Sequence, residues 1–235
     1  MNLFYTPNIT SEEYTLSEQE SGHIHKVLRK NPGDIIHLTD GEGYFYKAEI
    51  LDAAKKICRV KILSKKEGND KRDFKIHIAI APTKNMDRLE WFIEKATEIG
   101  IDEISIVSCF HSERKIVKNE RLEKIKVTAC KQSLKSNFPV INELSKFNKF
   151  ISQDFKSYKK YIAYIDNDVT KGLKDLYKPA ENVLIMIGPE GDFSKEEVEQ
   201  AIKQGFTPIS LGRSRLRTET AGVVACHTVH IINEG

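Results

Sequence analysis

The sequence lacks a CxxC pair: Cys58, Cys109, Cys130 and Cys226 are widely scattered. That argues against a zinc knuckle or a disulfide framework, and four buried or half-buried thiols in a reducing cytosol are expected. It also lacks long apolar runs. Stretches such as VLIMI (Val183 to Ile187) fall far short of the roughly 20 residues that span a bilayer, so no membrane partner is expected. The opening MNLFYTPNITSEEY has no basic start followed by an apolar run, and a cytoplasmic protein without a signal peptide is expected. Neither GxxxxGK[ST] nor GxGxxG occurs, which excludes a phosphate loop and a dinucleotide turn of the usual kinds. The seven histidines form no HExxH or similar ligand set, so no metal is expected. No internal repeat or low-complexity tract is present.

What remains is ordinary globular composition, 40% hydrophobic and 30% charged over 235 residues. That is enough for one large domain, or for a small and a medium one. The net charge is only +3, but residues 111–160 hold 13 basic and 5 acidic side chains. A phosphate backbone is a natural partner for such a segment; a solvated lysine-rich surface accounts for it equally well.

The first 65 residues read as short strands and turns. Ile35 to Asp40 and YFYKAEIL flank the glycine turn Gly41-Glu42-Gly43, and Ile57 to Leu63 alternates as a third strand. One short helix is expected from Ser17 to Asn31-Pro32-Gly33. A small β-barrel domain over residues 1–68 follows, with a polar linker at Lys65 to Asp73 and a second domain over 73–235. There, strands are expected at Phe74 to Pro82, Ile104 to Cys109, Tyr161 to Asp166, Val183 to Ile187 and TPISLG, ending at Gly212. Helices are expected from Met86 to Gly100, Asn119 to Ser136, Ser194 to about Gln204 and Thr218 to Ile232. Residues 139–160 are weakly patterned. Strand–helix alternation with near-continuous apolar strands predicts an α/β domain built on a parallel sheet.

Ligands of open α/β sheets sit beyond the C-terminal ends of the strands. Three such ends look chemically prepared: Ile165-Asp166-Asn167, Ile187 to Ser194 (IGPEGDFS) and Leu211 to Gly222 (LGRSRLRTETAG). Gly188 and Gly191 permit close approach to the backbone or a positive φ, with the plain shaping of a strand-to-helix turn as the alternative reading. Arg213, Arg215 and Arg217 suit phosphate recognition. Glu219 has an alternative use as a favourable charge at a helix N-terminus.

These loops closely resemble the signatures of the ribosomal RNA small subunit methyltransferase E family of the SPOUT superfamily. GPEGDFSKEE is similar to GPEGG[FL][ST]xxE, and LGRSRLRTETA is similar to LGxRxLRxETA. His23 or His25 with Val27-Leu28-Arg29, then EKATEIG, HSERKIVK and ACKQSLKSNFP, match further family stretches in order. The resemblance implies a PUA-like RNA-binding domain followed by a trefoil-knotted methyltransferase domain. It implies a homodimer that binds S-adenosylmethionine in the knot, releases S-adenosylhomocysteine and needs no metal. Its substrate would be N3 of a uridine in the decoding region of small-subunit ribosomal RNA, free or in an assembled subunit.

By the same resemblance, Ile165, Asp166, Ile187, Gly188, Glu190, Gly191, Leu211, Gly212, Leu216 and Arg217 would border the cofactor. Arg217, Glu190 and Glu219 are the catalytic candidates. Arg29, Arg114, Lys115, Lys118, Lys135, Arg213 and Arg215 are the RNA candidates. Asp192 stands where the family has glycine, Ser214 where it has arginine, Lys131 for glutamate and Lys135 for arginine. A superfamily member acting on another RNA position, and a non-catalytic RNA-binding assembly factor, are the rival readings. The intact GPEG and LRTETA stretches weigh against the second.

Overall fold

A computed structural model describes residues 2–54, 56–166 and 168–234. The chain packs as two compact units, one of residues 1–71 with Val127–Phe138 and one of 72–126 with 139–235.

In the first unit, β1 (Leu3–Tyr5), β2 (Glu13–Thr15), β3 (Ile35–Thr39), β4 (Tyr44–Ala53) and β5 (Cys58–Glu67) form a five-stranded sheet in the order β1-β3-β4-β5-β2. β1 runs parallel to β3, and the other pairs are antiparallel. Phe4, Leu38, Ile50 and Val60 fill its core, as the alternation of the strands requires. The Gly41–Gly43 turn is a true hairpin. Asp40 accepts the N–H groups of Glu42 (2.8 Å) and Tyr44 (3.2 Å) and the Tyr46 hydroxyl (2.9 Å). Both glycines have positive φ, 77° and 108°, so that turn does require them. The single expected helix is instead α1 (Glu18–His23) running into a wide π turn (Ile24–Leu28), stopped by Arg29 at φ 51°. The expected linker starts too early, because β5 continues to Glu67.

Lys131, the residue that departs from a family glutamate, pairs with Glu20. Its Nζ donates to both carboxylate oxygens at 2.6 and 2.8 Å, and Glu20 also accepts the N–H of Tyr5.

The second unit contains β6 (Ile76–Ile80), α2 (Met86–Ile99), β7 (Glu103–Ser108), α3 (Asn119–Gln132, whose last turns belong to the first unit), β8 (Val140–Lys146), α4 (Phe147–Ile151), β9 (Lys159–Ala163), α5 (Leu173–Leu176), β10 (Val183–Ile187), α6 (Lys195–Lys203), β11 (Thr207–Ile209) and α7 (Thr218–Glu234). The six strands pair in parallel, in the order β11-β9-β10-β6-β7-β8. β6 and β10 are buried at every position, the signature of strands covered on both faces. One core sets Ile78, Ile80 and Ile185 against Leu89, Phe92 and Val229. The other sets Ala79, Leu184 and Met186 against Phe147, Phe150 and Val198.

α3 ends four residues earlier than expected, with Leu134 at φ 55° just beyond it. The weakly patterned stretch contains β8 and α4, which the sequence reading missed.

β9 and β10 place two loops at the same sheet end, and the last segment completes the site. Gly172, in the β9–β10 connection, bridges Ser210, and the Ser210 N–H donates to the Lys171 carbonyl at 2.9 Å. From the sheet edge the chain returns as α7 to pack on α2, β6 and β10, with α5 also against it. This connectivity is consistent with an α/β knot. Close approach of α7 to α2 depends on Gly222, where a Cβ would lie 2.5 Å from the Phe92 ring.

Candidate active site

The three prepared strand ends converge on one cleft of about 1640 Å³ in the second unit. Ile165 and Asp166 come from the end of β9, Ile187 to Asp192 from the end of β10, and Leu211 to Thr218 from the passage between β11 and α7. Asn167 lies outside the described residues. All ten residues expected to border a cofactor line this cleft. Its apolar lining includes Leu173, Ile187, Ile209, Leu211, Leu216, Ala221 and Val224, while Asp166, Glu190, Arg213, Arg215 and Arg217 supply charge. Apolar and polar groups thus share the wall, as a site that must hold both an apolar and a charged part of a ligand requires.

The two glycine-marked loops are fastened together. Thr218, buried at the first turn of α7, donates its hydroxyl to the Gly188 carbonyl at 3.1 Å. Asp192 ties the second loop to the first strand end. Its Oδ2 accepts the Ile165 N–H at 3.2 Å and its Oδ1 accepts the Phe193 N–H at 2.8 Å. Burial raises the Asp192 carboxyl above the usual range, against the lowering effect of those bonds and of Arg215 and His111 nearby. Asp192 adopts φ 63°. That left-handed conformation is one that glycine, the residue of the family signature at this place, adopts freely, and aspartate is among the few other residues that tolerate it.

Gly188 and Gly191 have no positive φ; crowding explains them. A Cβ at Gly188 would lie 3.1 Å from the Phe193 ring, and one at Gly191 would lie 3.0 Å from His111 Cβ. Gly212 is the loop glycine in the left-handed region, at φ 121°.

The catalytic candidates separate. Arg217 is exposed on the cleft wall, immediately before α7. Glu190 lines the cleft too, and its Oε1 accepts the Lys84 N–H at 3.0 Å. Glu219 is buried, does not line the cleft and faces Arg88 of α2 at 3.8 Å, a position that favours its helix-terminus role.

Among the RNA candidates, Arg213 and Arg215 are exposed at the cleft, and Lys115 and Lys118 are exposed on the loop after β7. Arg114 is engaged with backbone instead. It donates to the carbonyls of Thr83 (3.1 Å) and Lys84 (2.6 Å). Arg29 and Lys135 belong to the first unit. Thr218 and the Asp192 ties were not anticipated from sequence. No group of three or more histidines, cysteines or carboxylates suited to a metal occurs among the described residues.

Comparisons agree with this geometry. The family model described as an RNA methyltransferase domain matches residues 70–230, and that of an RNA methyltransferase PUA domain matches 16–63. The chain is 32% identical over 218 residues to "Ribosomal RNA small subunit methyltransferase E" of Buchnera aphidicola, covering 90% of this chain and 85% of that one. Among solved structures, it is similar to a probable rRNA-methyltransferase from Porphyromonas gingivalis, with 46% identity, a TM-score of 0.92 and coverage of 100% and 99%. It is also similar to a ribosomal RNA small subunit methyltransferase E from Neisseria gonorrhoeae bound to S-adenosyl methionine, with 28% identity, a TM-score of 0.88 and coverage of 99% and 98%.

Proposed function

The chain belongs to the ribosomal RNA small subunit methyltransferase E family of the SPOUT superfamily, and on that footing we propose that it methylates N3 of a uridine in the decoding region of small-subunit ribosomal RNA. It is an S-adenosylmethionine-dependent enzyme of the α/β knot fold with an N-terminal PUA-like domain. The observation that carries the reading is the convergence of both family loop motifs on one cleft at the C-terminal ends of parallel strands.

The residues present fit S-adenosylmethionine. Ile187, Leu211 and Leu216 offer apolar surface for an adenine, and the loops of Gly188, Gly191 and Gly212 bring backbone polar groups to the rim. When bound, the cofactor supplies an electrophilic methyl group. The chain's own task is to align the uracil N3 with it and to favour loss of the N3 proton, and alignment is the larger expected contribution. Arg217 is placed to stabilise negative charge developing on the uracil. Glu190, open to the cleft, is better placed than Glu219 to orient the base or accept its proton. Arg213, Arg215, Lys115 and Lys118, with Arg29 and Lys135 of the first unit, would position RNA phosphates and make binding salt-dependent. Arg114 acts indirectly, by holding the Thr83–Lys84 carbonyls. We place the working enzyme in the cytoplasm as a homodimer.

The test is transfer of labelled methyl from S-adenosylmethionine to small-subunit RNA and to intact subunits, followed by nucleoside mass spectrometry. N3-methyluridine at one site is expected. No transfer to either substrate by folded protein would overturn the assignment, and a methyl on ribose or another base would replace the uridine N3.

A further inference from the structure

Phe110 is 74% exposed, a large apolar surface to leave in water at the end of a buried strand. The backbone does not leave it loose. Its N–H donates at 2.8 Å to Oε1 of Glu197, a buried residue whose other carboxylate oxygen caps α6 through Ser194. On one side, the Cys109 N–H donates to Ser112 Oγ (3.0 Å), and the Ser112 N–H returns to the Cys109 carbonyl (3.1 Å). On the other, His111 Nδ1 donates to the Asp192 carbonyl at 3.0 Å, and the His111 ring meets that of Phe110 edge-on at 5.0 Å. The aromatic ring is thus held out by a rigid turn that abuts the Gly191–Asp192 rim of the cofactor cleft.

The surroundings select a partner. Lys115 and Lys118 are exposed on the same loop. The nearest acid in sequence, Glu113, is engaged by Lys84 at 3.0 Å. A preorganised aromatic face on the same loop as exposed cations suits an unstacked base whose neighbouring phosphates meet the lysines. A protein partner would be served equally by an aliphatic residue and would not call for the cations.

We propose that Phe110 is a stacking platform for an unstacked base of the substrate RNA beside the cofactor cleft, with Lys115 and Lys118 on the adjoining phosphates. The inference rests on the reading of the chain as an RNA methyltransferase. The platform orders the strand that carries the target, so it acts in RNA binding and not in cofactor binding.

The experiment compares wild type with F110A, F110L and F110W. Binding of a short fluorescein-labelled single-stranded RNA is followed by anisotropy, alongside KM for small-subunit RNA, affinity for S-adenosylmethionine and oligomeric state by light scattering. F110A and F110L should bind the RNA about ten-fold more weakly, within the range for one base–aromatic stack. They should raise the RNA KM by a similar factor and leave cofactor affinity and oligomeric state unchanged. F110W should retain affinity, and its fluorescence should be quenched by RNA. Unchanged RNA affinity in F110A, or full retention by F110L, overturns the platform. A change of oligomeric state in F110A also overturns it, and assigns the ring to contact between copies. Failure of the wild type to methylate any RNA is a separate result, and it overturns the underlying assignment.

Discussion

The Asp192 carboxylate accepts the backbone N–H of Ile165 at 3.2 Å, joining two walls of the cleft through a residue held at φ 63°. Asparagine also tolerates this φ, but its one side-chain oxygen can keep only one of the two bonds, to the Ile165 N–H or to the Phe193 N–H. Because burial raises the Asp192 carboxyl, its ionised form is the disfavoured one, and its contribution to stability falls as pH rises through its folded pKa. D192N removes the buried charge but turns an amide donor toward one of the two N–H groups, so it should melt below wild type and above D192A near neutral pH. D192A loses the acceptor and places a Cβ-bearing residue without a local hydrogen bond in the left-handed region, so a loss of about 2 kcal/mol is expected. Thermal unfolding at neutral pH separates the variants; equal melting of D192A and wild type would remove Asp192 from the support of the cleft.

The Lys131–Glu20 pair makes a second departure from the family testable. Side-chain exposures are 19% and 7%, so removing one partner strands a nearly buried charge. K131M should cost about 3 kcal/mol, and K131E, which restores the family residue alone, should cost at least as much by setting two carboxylates together. The charge swap E20K/K131E should recover part of the loss, since the pair is restored while the Tyr5 N–H loses Glu20 as its acceptor. Denaturant unfolding of wild type, E20K, K131E and E20K/K131E closes a double-mutant cycle that gives the coupling; a coupling near zero would mean that the pair is incidental.

How far the sequence carried can be judged at particular residues. VLIMI was legible as β10 because a strand covered on both faces is apolar throughout. Met86 to Ile99 was legible because its buried positions Leu89, Phe92, Ile93 and Ala96 keep helical spacing ahead of Gly100. β8 was not, because it lies at the sheet edge and buries Ile141 alone, which leaves no alternation to read. The early end of α3 turns on Leu134 adopting a left-handed conformation, for which leucine gives no signal. Periodicity is also blind to Val127–Phe138 belonging with the first unit. At the site, the loop motifs were visible because glycines and arginines mark them. The directions of Arg114 and Glu219 were not legible because a motif states residue type and not direction: one side chain donates to carbonyls, the other faces Arg88. The Thr218–Gly188 and Asp192–Ile165 bonds join residues 30 and 27 positions apart, and no local pattern encodes them.

His77 should make the protein acid-sensitive. It is 1% exposed, its Nε2 bonds Ser105 Oγ at 2.8 Å, and Glu103 and Tyr158 are its titratable neighbours. Burial lowers its pKa from 6.5 to about 4, with Glu103 opposing. The unfolded chain therefore takes up this proton first, and stability should fall as pH drops from about 6.5 towards 4. Denaturant midpoints across that interval should slope downward in wild type and less steeply in H77Q. Identical slopes would place the acid-sensitive group elsewhere.

Gly222 should tolerate no side chain. In G222A the new Cβ would meet the Phe92 ring at 2.5 Å and Ile80 Cδ1 at 3.2 Å, forcing α7 away from α2. Overpacking of this kind costs about 1–3 kcal/mol. The shift would also displace Ala221 and Val224 from the cleft wall, so weaker cofactor binding should accompany the lower melting temperature. G222A/F92L, which trims the ring, should recover part of both. Calorimetric titration with S-adenosylmethionine beside thermal unfolding would reveal whether the two losses travel together; retention of both properties in G222A would show that the helices yield.

Arg217 and Glu219 lie two residues apart yet should fail in different ways. Arg217 opens on the cleft, whereas Glu219 is buried against Arg88. A cation that stabilises charge developing on the base acts in the transition state more than in the ground state. R217A should therefore lower kcat at saturating RNA by about a hundred-fold or more, with a smaller change in cofactor affinity, and R217K should recover only part because the planar fork is lost. E219Q should lower the melting temperature, leaving Arg88 without its charge partner, and keep kcat within a few-fold of wild type. Single-turnover rates with saturating cofactor isolate the chemical step from binding and release. Normal turnover in R217A would end its proposed role, and a large kcat loss in E219Q without a stability change would return the proton-transfer function to that carboxylate.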